Sequence, residues 1–124
     1  MVLKKAAELR SLAMRVFTAC GVGAEGAKIV AGHLVTAEMM GFGSHGMQRI
    51  AQYVNDMQDG RIVPDAKLSI TKETPTTAVM DANWQFGPVA GVQGAELAIA
   101  KAQQYGTGSV LIQHCRHFGR VGAY

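Results

Sequence analysis

The sequence predicts an α/β or α+β layered architecture, and three observations carry that prediction. Apolar residues recur at helical period through most of the first 58 residues. After residue 60 the pattern changes to short β-branched runs separated by one long alanine-rich helical stretch. Of the 124 residues 48% are hydrophobic and only 17% charged, which is enough apolar material for a packed core and argues against disorder.

Each element follows from local signals. Leu9, Leu12, Ala13, Val16, Phe17 and Cys20 fall on one helical face, so residues 3–20 read as an amphipathic helix stopped by Gly21 and Gly23. A second helix from about Ala24 to Met40 turns Ile29, Val30, His33, Leu34, Ala37 and Met40 inward. Gly41-Phe42-Gly43 ends it. Ser44 is the expected cap of a third helix reaching about Gln58, with Met47, Ile50, Val54 and Met57 as its apolar stripe and Asp59-Gly60 as its stop. Leu68–Ile70 and Thr77–Met80 then read as strands around a turn at Pro75. Phe86 to Tyr105 returns to helix, within which Gly87, Gly91 and Gly94 mark close packing, and Trp84 and Phe86 are expected in the core. Ser109–Ile112 is a compact apolar strand. His114–Tyr124 is a polar, glycine-containing turn that looks ready to start another helix. The chain therefore divides into a helical segment, 1–60, and the start of an α/β region, 61–124, which reads as stopping in mid-motif, as the front part of a longer protein would.

Charge and cysteine usage narrow the function classes. The net charge is +3, but the 12 basic residues are scattered without interleaved aromatics, so nucleic-acid binding is not expected. No run is long and apolar enough for a membrane span or a secretory leader. Cys20 and Cys115 are far apart and outside any CxxC pair, which points to a reduced, cytoplasmic protein.

Two constellations could carry chemistry. On a helix starting at Ser44, residues His45, Arg49 and Tyr53 recur every fourth position and form one slanting stripe. His45 in the first turn and the planar fork of Arg49 suit a small carboxylic acid. The bland alternative is a solvated helix face. The second constellation is His114-Cys115-Arg116-His117. A zinc set there, with His33 and His45 added, lacks the usual ligand spacing, and no metal site is assigned. Cys115 as a nucleophile is indistinguishable from a quiet thiol. His117 follows a strand and precedes Phe118-Gly119, at the end of the sheet where ligands bind, so it can exchange a proton with a substrate hydroxyl or carbonyl. A purely structural histidine in a turn is the equal alternative. Gly21-Val-Gly23 is not followed by the glycine spacing of a Rossmann phosphate loop, and no strand precedes it.

GFGSHGMQRIAQY (Gly41–Tyr53) and HCRHFGRVGAY (His114–Tyr124), with MDANWQFGP (Met80–Pro88) between them, resemble the malate/L-lactate dehydrogenase family that is distinct from the Rossmann enzymes. The resemblance covers nearly the whole chain. It implies N-terminal helices followed by part of a three-layer mixed sheet, a homodimer, NAD or NADP as cofactor, and a 2-hydroxy or 2-oxo acid as substrate. Ser44, His45, Arg49 and Tyr53 would line the substrate pocket, with Arg49 on the carboxylate. His117 would be the acid/base, and the backbone of Phe118 and Gly119 would lie near the nicotinamide. Many members carry Asn-Ser where this chain has His114-Cys115, which implies a subgroup and leaves the acid open. The rival reading is a truncated, non-catalytic module that oligomerises or binds a partner through the faces a missing half should cover.

Overall fold

A computed structural model describes residues 3–124. The elements run α1 (Ala6–Ala19), α2 (Ala24–Met39), α3 (Arg49–Gln58), β1 (Ser69–Glu73), β2 (Thr77–Asp81), α4 (Gly87–Tyr105) and β3 (Ser109–Gln113). Short 3-10 turns lie at Gly43–His45 and Val121–Ala123. The predicted order of helices first and an α/β unit afterwards is the observed one. No helix among the described residues is long and apolar enough to cross a membrane.

Local chemistry sets the ends of the helices. Glu8 accepts the backbone N–H of Lys5 at 2.8 Å, closing the first turn of α1. Asp65 does the same for Gly23 at the start of α2, also at 2.8 Å, and so ties the α2 terminus to the loop after α3. Pro88 sits in the first turn of α4, where its missing N–H costs nothing, and Gly106 closes that helix at φ 85°.

The three-stranded sheet has the order β1-β2-β3. β1 and β2 pair antiparallel through the Pro75 turn, with a register irregularity between Ile70 and Lys72. β2 and β3 pair in parallel, from Thr77↔Ser109 to Asp81↔Gln113, and α4 is the crossover between them. Beyond the strands, Ala82 N–H donates to Gln113 O at 2.9 Å and Trp84 N–H to His114 O at 2.6 Å. The two chain segments leaving the carboxyl ends of β2 and β3 therefore stay together.

The core joins both halves of the chain. Phe17 of α1, Tyr53 of α3 and Phe86 before α4 meet with ring centroids 5.7–6.4 Å apart, backed by Val30, Leu34 and Ile62. Each such ring contributes roughly 1.5–3 kcal/mol by burial.

Several expectations change. Leu12 and Cys20 are exposed, because α1 packs on α2 along a narrow stripe centred on Ala13 and Phe17. Met40 is also exposed, since it lies past the end of α2. Trp84 is exposed as well: its φ of 65° turns it out of the core, and its ring lies against His114 at 5.4 Å. Ser44 does not cap the third helix. Gly46 is extended (φ −97°, ψ −146°), the space beside it is filled by the Glu38 carboxylate, and that carboxylate also accepts Met47 N–H at 2.9 Å. The α-helix consequently starts at Arg49. Between His114 and Tyr124 the chain forms a loop and then the short 3-10 turn Val121–Ala123.

Candidate functional site

His45, Arg49 and Tyr53 do not form one helical stripe, because His45 belongs to the 3-10 turn that precedes α3. The fold nevertheless gathers them around His117. Tyr53 is 1% exposed, and its hydroxyl lies 2.9 Å from His117 Nδ1. The His45 ring is 5.5 Å from the His117 ring, centroid to centroid. Ser44 Oγ pairs with His45 Nδ1 at 2.9 Å and so fixes that imidazole. Arg49 Nε donates to Ser44 O at 2.6 Å, and its Nη1 donates to Gln52. These bonds set the guanidinium plane.

His117 is placed by the opposite side of the structure. The N-terminus of α4 lies directly beneath it: a Cβ on Gly87 would collide with the His117 carbonyl, so only glycine permits the approach. Gly91 and Gly94 likewise let Tyr124 with Phe118, and Ile112, pack onto α4. The close packing expected of these glycines is observed. Gly119 has φ 76°, and the space a Cβ would take there is filled by the His33 ring. The group that approaches this backbone is thus a side chain of the same chain. The Phe118 ring packs on Tyr124, at 4.9 Å between centroids, and its carbonyl accepts the Tyr124 hydroxyl at 2.7 Å.

The electrostatics favour neutral groups. Burial lowers the His117 pKa from 6.5, and Arg49 and His45 lower it further, against a weaker opposite effect of Asp56. Burial pushes the Tyr53 hydroxyl up to about 12, so it keeps its proton. A hydroxyl can donate to a bare Nδ1 or accept from Nδ1–H, so Tyr53 matches either state of the His117 ring. Such a pair can hold a proton donor or acceptor at Nε2 without rearranging its support.

The other members of the second constellation do different work. His114 Nδ1 lies 2.8 Å from Asp81 Oδ2, away from the His117 cluster. Burial raises the Cys115 pKa, which is the wrong direction for a nucleophile. Among the described residues no group of three or more His, Cys, Asp or Glu is placed to hold a metal ion.

Sequence reasoning passed over Asp56 and Arg116. Asp56 is buried on α3, holds Arg61 at 2.8 Å and faces Arg116 at 3.7 Å, which ties the His117 loop to the helix carrying Tyr53. An acidic residue one turn after Tyr53 was the available signal. His33 was legible only as an inward residue; its contact with the loop was not.

A groove of about 850 Å³ runs along α1 between Arg10, Met14, Arg15 and Thr18, and none of the site residues lines it.

Residues 4–124 match the family model described as malate/L-lactate dehydrogenase. The L-sulfolactate dehydrogenase of Methanocaldococcus jannaschii is 41% identical over 124 residues, 100% of this chain and 36% of that protein. The malate dehydrogenase of Pyrococcus abyssi is 39% identical over 117 residues, 94% of this chain and 32% of that protein. The solved malate dehydrogenase of Pyrococcus horikoshii OT3 superposes with a TM-score of 0.97 at 36% identity, covering 99% of this chain and 35% of that one.

Proposed function

The chain belongs to the malate/L-lactate dehydrogenase family, and from that premise we propose that it carries the acid/base and carboxylate-binding part of an NAD(P)-dependent 2-hydroxyacid dehydrogenase. It spans about a third of the length of the curated relatives it matches, between 32% and 36% for those above. The single observation that carries the proposal is the convergence on His117 of Tyr53 at 2.9 Å and His45 at 5.5 Å, with the Arg49 guanidinium close enough to lower the His117 pKa.

The reaction is 2-oxo acid + NAD(P)H + H⁺ ⇌ 2-hydroxy acid + NAD(P)⁺. Arg49 binds the substrate carboxylate. In reduction His117 Nε2 gives its proton to the oxygen forming at C2; in oxidation it removes that proton. The lowered pKa keeps the free site in the form that serves as a base. A bound carboxylate offsets the Arg49 charge and lets His117 take up the proton that reduction needs. Ser44 and His45 fix the other wall of the pocket.

The residues present fit the nicotinamide end of the coenzyme. Phe118 and Gly119 are uncharged, half-buried and adjacent to His117 in the chain, so they add no charge of their own beside the ring. When bound, the nicotinamide supplies or accepts the hydride. A homodimer in a reducing compartment completes the proposal, supported by two free cysteines and by exposed apolar residues such as Leu111 and Val121.

Replacing Arg49 with Lys tests the clamp. An ammonium cannot hold Ser44 and Gln52 and still present a fork, so KM for the 2-oxo acid should rise about tenfold or more with a smaller change in kcat. An unchanged KM would remove Arg49 from the role.

A further inference from the structure

His33 projects from α2 into the loop just after His117, and the hydrogen bonds around it fix its protonation state. Its Nε2 lies 2.9 Å from the backbone N–H of Arg120. An amide N–H only donates, so Nε2 must be the bare nitrogen and the ring proton sits on Nδ1. Nδ1 faces the Tyr124 hydroxyl at 3.4 Å, and that hydroxyl donates to Phe118 O at 2.7 Å. The Tyr124 ring also stacks on His33, at 5.5 Å and 18°. Nδ1–H, the Tyr124 hydroxyl, the Phe118 carbonyl and the Arg120 amide therefore form one polarity-matched circuit across Gly119, where a Cβ would collide with the imidazole at Nε2.

We propose that His33 is a pH-operated latch: its neutral ring pins Phe118–Arg120 and thereby positions His117, and protonation releases them. Adding a proton at Nε2 turns the acceptor of Arg120 N–H into a second donor, so the bond is replaced by repulsion. The charged and titratable groups facing His33 are Arg120 and Tyr124 on the loop, His117 beside it and His45 on the turn before α3. All except Tyr124 oppose a positive imidazole, and burial does so most; the Tyr124 hydroxyl, whose pKa burial raises, stays neutral. The consequence for catalysis rests on the reading of His117 as the acid/base, whereas the latch itself does not.

Amide exchange of Arg120, followed by NMR without substrate or coenzyme and expressed relative to an unstructured amide, reads the latch directly. In the wild-type chain the protection should fall about tenfold or more over the same pH range in which the His33 ring signals titrate. His33→Gln places an amide oxygen near the Nε2 position and does not titrate, so its protection should persist through that range. Wild-type protection that stays constant while His33 titrates would overturn the proposal. Loss of protection in His33→Gln parallel to that of the wild type would overturn it equally. His33→Ala adds a third reading, protection lost at every pH, but neither decisive outcome depends on that variant folding. A failed latch leaves the dehydrogenase reading intact, because that reading is decided by His117 and Arg49 kinetics.

Discussion

At His117 the decisive feature is a partner that serves both protonation states. A carboxylate at Nδ1 would raise the imidazole pKa, whereas the Tyr53 hydroxyl, held protonated by burial, orients the ring without adding charge. Tyr53→Phe removes only that bond, since the ring stays wedged between Phe17 and Phe86. Stability should fall by about 1 kcal/mol and turnover by about tenfold, read by urea unfolding and by coenzyme-linked kinetics. Unchanged turnover would show that the imidazole is oriented by something else. At this scale the sequence was informative about residue type and silent about partners. His45, Arg49, Tyr53 and His117 were identifiable as a set, but Tyr53 appeared as part of a polar stripe when it is a core residue. Phenol rings bury readily when the hydroxyl finds a partner, and that partner lies 64 residues away.

At the scale of elements, the site depends on α4 and the short turn before α3. The N-terminus of α4 carries the His117 backbone on Gly87, so Gly87→Ala forces backbone against backbone. The expected result is destabilisation of about 1–3 kcal/mol together with a loss of activity larger than the stability change explains, checked by denaturation and kinetics on the same sample. A fully active, equally stable variant would mean that the contact is easily relieved. The role of these glycines was legible because a glycine inside a helical pattern needs a packing reason. The start of α3 was not. Ser44 followed by a periodic run reads as a cap, but Glu38, from the preceding helix, captures Met47 N–H and keeps Gly46 extended. A tertiary contact overrode a local signal, and His45 moved off the helix while remaining beside His117.

For the whole molecule, the α/β order was readable from the change of apolar period after residue 60, and the family resemblance from the motif pair Gly41–Tyr53 and His114–Tyr124, because period, motif order and separation survive where individual contacts cannot be inferred. The molecule is also built around histidines kept neutral. The folded-state pKa values of His33 and His117 both lie below 6.5, chiefly through burial. On acidification the unfolded chain therefore takes up protons first. Stability is fully present above about pH 6.5, falls as the pH drops from there through the two lowered values, and then levels off for these groups. Asp81, lowered by its bonds to Asn83 N–H and His114, adds a loss of the same sign at lower pH, below about 3.8. Urea midpoints measured from neutral to mildly acidic pH should decline across that first window, and a flat profile would contradict the neutral-histidine account.

The most direct test of the central claim is the steady-state oxidation of NADH and of NADPH with a panel of 2-oxo acids, by the wild-type protein and by His117→Ala. The account predicts 2-oxo-acid-dependent turnover with at least one of the coenzymes, and a fall in kcat of about a hundredfold or more in the variant with KM much less affected. Undiminished turnover in His117→Ala, or no 2-oxo-acid-dependent oxidation of either coenzyme by the wild type, would contradict it.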